Sequence, residues 1–176
     1  VQTCALPILY RLFMTSEGIF GITLSTASTA IVVFILFGAF LSVSGATALF
    51  NDLALAAAGR RRGGPAQVAV ISSALTGSLS GSAVANVATT GTFTIPLMKS
   101  IGLSSRFAGA VEATASTGGM IMPPIMGAAA FIMAGFLGIS YTTIVIAAIV
   151  PALLYYAALI MAIDLEAKKQ GLKGIN

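Results

Sequence analysis

Charge and histidine are what this sequence most lacks. Its 176 residues include no His, no Trp, one Cys and five acids, and 8% are charged against 57% hydrophobic. A soluble domain carries about 25% charged residues, so this composition cannot assemble an ordinary water-facing surface. With no His and a single Cys, haem, iron–sulfur and zinc sites built from those residues are excluded within the chain. A hydrolytic triad that uses His is excluded as well. Cys4 has no partner for an internal disulfide. No glycine-rich phosphate-binding loop is present, and so no ATP site of that kind. The alternating segments of about ten residues that a membrane barrel requires are also missing.

Long uncharged runs fill the space that charge leaves, and mean hydropathy is +1.01. They specify an all-α integral membrane protein. The net charge of +4 needs no nucleic acid to explain it. The basic residues sit in short clusters between apolar runs, as the positive-inside tendency of membrane proteins requires. Residues 18–50 carry no charge and fit one span, centred on 31–40. A short apolar helix is expected at 53–58. Arg60, Arg61 and Arg62 follow, framed by Gly59, Gly63, Gly64 and Pro65, and read as a basic turn that anchors topology. Residues 1–8 look like a translated sequencing adapter and are set aside as a non-native segment. Residues 9–65 then form a scaffold-type helix and its connection.

Residues 66–98 are uncharged and have an awkward length. One span needs roughly 20 apolar residues, so two spans and a turn need over about 40. The middle, Gly77-Ser78-Leu79-Ser80-Gly81-Ser82, is rich in glycine and hydroxyls. Together these predict a re-entrant helical hairpin with a polar tip. Charge parity points the same way: Arg60–Arg62, Lys99 with Arg106, and Lys168 with Lys169 all prefer the cytoplasm. The stretch between the first two clusters must therefore return to its own side. Residues 107–136 contain one charge, Glu112, and a break at Gly118-Gly119-Met120-Ile121-Met122-Pro123-Pro124. Adjacent prolines remove backbone donors and clash with the preceding turn. A discontinuous helix is expected, with one half ending near Gly118 and the other running from about 125 to 136. A loop at 138–140, a final span at 142–163 and a charged cytoplasmic exit at 164–176, including Lys173, complete the chain.

Irregular polar backbone at membrane depth persists only where protein buries it or it lines a cavity. The tip gathers Ser78, Ser80, Ser82 and Asn86, with Thr89 and Thr90 beyond, and the break follows Thr114, Ser116 and Thr117. Neutral hydroxyls and freed carbonyls can replace the water around Na⁺ without trapping the ion. Half-helix N-termini favour an anion and C-termini a cation. Taken singly, each Ser or Thr is better explained by a bond to its own backbone, and Gly77-xxx-Gly81 by close helix packing. Asn86 is evenly balanced. The two breaks taken together favour function. Glu112 is a possible proton or cation carrier, but pairing with Arg106 or Lys99, or snorkelling, is the expectation its position favours.

Two long motifs carry a resemblance. They are Gly81-Ser82-Ala83-Val84-Ala85-Asn86-Val87-Ala88-Thr89-Thr90-Gly91-Thr92-Phe93-Thr94-Ile95-Pro96-Leu97-Met98-Lys99, and the run from Ala110 through Gly118, Gly119, Pro123 and Pro124 to Gly127. The sequence resembles the large membrane subunit of TRAP (tripartite ATP-independent periplasmic) transporters, and most of all the fused permeases. The resemblance implies one repeat of an elevator-type fold. Its ion and substrate regions fall on Ser80, Gly81, Ser82 and Asn86 at the tip, and on Thr117, Gly118, Gly119 and Met122 at the break. Na⁺, the coupling ion, is expected at Ser82, Asn86 and Gly118, with no other cofactor. Implied partners are a periplasmic substrate-binding protein, a small TRAP membrane subunit or its fused equivalent, an organic acid and membrane lipid, in a multi-pass protein of the bacterial inner membrane. The substrate stays open among C4-dicarboxylates, keto acids and amino acids. The second hairpin and broken helix of the family are absent, so this segment alone is expected to transport nothing. A non-transporting membrane module, assembling a complex through its small-residue faces, is the rival reading. A membrane-embedded enzyme is a distant third.

Overall fold

A computed structural model describes residues 2–15, 18–59 and 63–171. Glu17, the triple arginine and Lys173 lie outside the described residues. Every regular element among those described is helical: α1 (Gln2–Met14), α2 (Ile22–Thr26), a π-helical segment (Ala27–Ile31), α3 (Val32–Val43), α4 (Ala46–Ala58), α5 (Gly64–Ser80), α6 (Ala83–Ser100), α7 (Ser105–Gly118), α8 (Ala128–Leu137) and α9 (Tyr141–Lys169).

The helix over residues 22–43 is continuous through its π-helical turn. It is shorter than the uncharged run that encodes it, because Gly45 adopts φ +93° and turns the chain. The helix expected at 53–58 therefore begins earlier, at Ala46. Among the described residues, two helices are long and apolar enough to cross a membrane, one over Leu24–Leu41 and the other α9. Both present large apolar side chains outward, among them Leu36, Phe40, Leu153 and Leu154. The interior instead is small and partly polar, with Ala66, Ala69, Ser72, Ser73 and Ala74 of α5 all buried. This inversion suits a chain whose solvent is hydrocarbon.

Helix α5 is the centre on which α4, α6, α7 and α9 all pack. Its start is set by Gly63 at φ +64° and Pro65 in the first turn, where a missing N–H costs nothing. Gly81, at φ +61°, stops it. Ser82 is extended, and its hydroxyl accepts the Ala85 N–H to begin α6. The two helices fold back on each other: Gly77 lies against Asn86 and Ser73 meets Thr90, so α6 advances four residues as α5 retreats four. The hairpin is thus slightly longer at both ends than residues 66–98.

Helix α7 lies against both arms and is capped by Ser104, whose hydroxyl accepts the Phe107 N–H. Beyond Gly118 the helix ends, and irregular backbone runs to Gly127. It includes a cis Pro123–Pro124 bond and Met126 at φ 63°. The second half, α8, starts at Ala128, somewhat later than residue 125. Phe131 of α8 stacks on Tyr141 at 4.3 Å and meets Phe34 of α3 at 5.0 Å. Helix α9 begins at Tyr141 and continues through the charged exit to Lys169.

Candidate functional site

The hairpin tip and the break in the second helix are stitched together. The Ile125 N–H donates to the Ser78 carbonyl at 3.2 Å. Gly81 needs its left-handed backbone, and a Cβ there would lie 2.3 Å from the Met126 carbonyl oxygen. One turn into the hairpin, Gly77 meets Gly119 backbone to backbone: a Cβ on Gly119 would sit 2.6 Å from the Gly77 Cα. Glycine at these positions is what allows the two irregular segments to touch.

The expected site residues divide into three sets. Asn86 is fully buried beside Gly77. Its Nδ2 donates to the Ser73 carbonyl at 2.8 Å, while its Oδ1 is buried without a hydrogen-bond partner. Gly119 reaches the same point through Gly77. Ser80, Gly81 and Ser82 line an open cavity of about 320 Å³ whose other walls include Phe34, Met126 and Phe131. Ser80 reaches only the Ser82 carbonyl, at 3.5 Å, and Ser82 serves as the exposed cap of α6. The remaining three face elsewhere. Thr117 is exposed and bonds the Ala113 carbonyl of its own helix at 2.8 Å. Gly118 packs on Tyr155, where a Cβ would approach the ring to 2.5 Å. Met122 is half-buried against the apolar core. The local-bonding reading therefore suits Thr117, as it does Thr89 and Thr114, which bond the carbonyls of Ala85 and Ala110.

Glu112 corrects the sequence reading. It pairs with neither Arg106 nor Lys99: the ion pairs among the described residues are Asp164–Lys168 and Glu166–Lys169. It does not snorkel either, being fully buried. Four hydroxyls surround it. Ser73 of α5 donates to Oε1 at 3.0 Å, Thr90 of α6 approaches Oε1 at 2.5 Å, and Ser116 of its own helix reaches Oε1 at 3.2 Å. Thr94 of α6 donates to Oε2 at 2.6 Å. Gly91 leaves room for the stem, with a would-be Cβ 3.4 Å from the Glu112 Cγ. The cluster had a sequence signal: Asn86, Thr90 and Thr94 recur every four residues, as do Glu112 and Ser116, so each set shares a helix face. Charge proximity along the chain outweighed it.

No group of three His, Cys, Asp or Glu side chains that could hold a metal occurs among the described residues. The neutral oxygen left free where tip and break meet is Asn86 Oδ1, while the carbonyls of Gly118, Gly119 and Met120 accept the backbone N–H groups of Ile121, Met122 and Gly127. Thr76 adds a second buried, unpartnered oxygen, its hydroxyl, beside a small pocket of about 40 Å³ shared with Thr47, Ser80 and Thr89.

Comparison with known proteins follows the geometry. The model of the family described as tripartite ATP-independent periplasmic transporter, DctM component, matches residues 4–176. The chain is similar to the C4-dicarboxylate TRAP transporter large permease protein DctM of Pseudomonas aeruginosa, with 34% identity over 90% of this chain and 35% of the relative. It is similar to the 2,3-diketo-L-gulonate TRAP transporter large permease protein YiaN of Escherichia coli, at 30% identity over 90% of this chain and 38% of the relative. A DctM protein of Vibrio cholerae is 33% identical over 81% of this chain and 31% of the relative. The chain thus spans about a third of the length of these curated relatives. No solved structure matches it significantly.

Proposed function

The chain belongs to the DctM-component family of tripartite ATP-independent periplasmic transporters, a family of transporters rather than enzymes, and from that premise we propose that it forms one ion-binding half of a Na⁺-driven permease for organic acids. The permease takes its cargo from a periplasmic binding protein and works with a small membrane subunit or its fused equivalent, as a multi-pass protein of the inner membrane. The substrate class is a small organic acid, in keeping with the C4-dicarboxylate and diketo-gulonate named for the relatives.

One observation carries this reading: Asn86 is fully buried beside Gly77, where tip and break meet, with its Nδ2 toward Gly77 and its Oδ1, a strong acceptor, left without a partner. Buried polar atoms in proteins are nearly always satisfied, so an orphan acceptor marks a place for a ligand that offers positive charge. Na⁺ suits it, with Asn86 Oδ1 and backbone carbonyls near Gly118 and Gly119 as ligands and Ser82 at the mouth. The α6 N-terminus beside the open cavity adds a field that favours a carboxylate. The hairpin is re-entrant in this reading. Its α5 arm of 17 residues spans roughly 26 Å at about 1.5 Å per residue, short of the roughly 30 Å hydrocarbon core.

The test uses the full-length permease in liposomes with its binding protein and small subunit. Asn86→Ala is expected to raise the Na⁺ concentration that half-saturates uptake by at least about tenfold, the worth of one good charge-assisted contact. Unchanged Na⁺ dependence together with poor assembly would favour the assembly module instead.

A further inference from the structure

We propose that Glu112 is a positioning residue that aims Asn86 Oδ1 at the ion, a role that rests on the Na⁺ reading of Asn86. Two rails run from the carboxyl, one to the Asn86 amide and one to the Asn86 main chain. On the first, the Ser73 hydroxyl donates to Glu112 Oε1 while the Ser73 carbonyl accepts Asn86 Nδ2. On the second, the Thr90 hydroxyl lies between Glu112 Oε1 and the backbone carbonyl of Asn86, 2.5 and 2.8 Å away. The side chain of Glu112 thus holds both residues that hold Asn86. Since the Ser73 carbonyl accepts only from the NH₂ side of the amide, it fixes which way the amide faces. Turning Asn86 over would set two oxygens against each other and change the direction in which Oδ1 is offered.

The carboxyl also ties three helices. Ser73 belongs to α5, Thr90 and Thr94 to α6, and Ser116 to α7. Ser116 lies three residues before Gly119, which abuts Gly77. Movement of α7 relative to the hairpin would therefore disturb the amide and the break together. A group whose task is to hold hydroxyls must keep its acceptor oxygen in place, and its net charge is secondary.

That distinction sets the experiment. In the full-length permease, reconstituted with its partners, uptake is measured against NaCl concentration for Glu112→Ala, Glu112→Gln, Asn86→Ala and the double variant Asn86→Ala/Glu112→Ala. The positioning role predicts that Glu112→Ala raises half-saturating Na⁺ about tenfold, while Glu112→Gln, which keeps an oxygen at Oε1, restores it to within about twofold. The double variant should shift no further than Asn86→Ala alone, because Glu112 acts through Asn86. A Gln variant as impaired as Ala would overturn the inference in favour of direct ion or proton carriage. Additive shifts would overturn it too, as would loss of folded protein and maximal rate with half-saturation unchanged, the mark of a purely structural role. If Asn86→Ala alone leaves half-saturation unmoved, the Na⁺ reading of Asn86 has failed. If Asn86→Ala shifts it and Glu112→Ala does not, the positioning role fails alone.

Discussion

Gly119 and Gly109 lie in or at the end of the same helix and demand opposite things of a methyl group. A Cβ on Gly119 would stand 2.6 Å from the Gly77 Cα, whereas one on Gly109 meets nothing within 4 Å. The Gly77 backbone cannot rotate away as a long side chain would, so Gly119→Ala must separate the tip from the break. The expected cost is about 1–3 kcal/mol, typical of overpacking, and half-saturating Na⁺ should rise as well. Gly109→Ala should instead stabilise by about 0.5–1 kcal/mol, because alanine restricts the unfolded chain and favours helix. Thermal unfolding of the two full-length variants in detergent checks the contrast. A lower midpoint for Gly109→Ala, or an unchanged one for Gly119→Ala, would contradict it. Residues of this kind are hard to grade from sequence. Gly118 and Gly119 look alike on the page, yet one faces Tyr155 and the other the hairpin.

At the scale of elements, α9 closes the end of α7. The Tyr155 and Tyr156 hydroxyls donate to the carbonyls of Thr114 and Ala115 at 2.7 and 3.0 Å, within the last turn before the break. The last carbonyls of a helix lack intrahelical donors, and Tyr156 supplies one for Ala115. Tyr156→Phe should cost about 0.5–1.5 kcal/mol and loosen the backbone after Gly118, seen as faster hydrogen exchange over residues 115–122. Unaltered exchange there would mean the bond does not support the break. The hairpin and the broken helix were legible in the sequence because glycine, proline and hydroxyls act locally. Their partnership could be inferred, and the family likeness named it. The environment of Glu112 was not legible, since its hydroxyls come from residues 73, 90, 94 and 116, and nearness along the chain to Arg106 and Lys99 pointed the wrong way. The early stop at Val43 hinges on the positive φ of Gly45, in a run whose hydropathy never falters.

For the whole molecule, the re-entrant reading makes a topological prediction. Ser100 and Ser104, exposed between α6 and α7, should share the cytoplasmic side with the triple arginine. With Cys4 replaced, Ser100→Cys in the full-length protein should react with impermeant thiol reagents only from the cytoplasm. Labelling from the periplasm would require the stretch from α5 through α6 to cross the membrane once. Greasy helices such as α3 and α9 gain little from one another in lipid, since a lipid tail is as apolar as leucine, so hydrophobicity cannot set how α5 and α6 align. Their seam does so by shape and polarity, with glycine opposite asparagine near the tip and serine opposite threonine one turn below. Sliding one arm by a turn would set Gly77 against Thr90 and Ser73 against Thr94. A branched side chain would then fill the gap that Gly119 needs, and Glu112 would lose its donors. The arms are keyed to a single alignment, so this membrane helix pair has only one way to close.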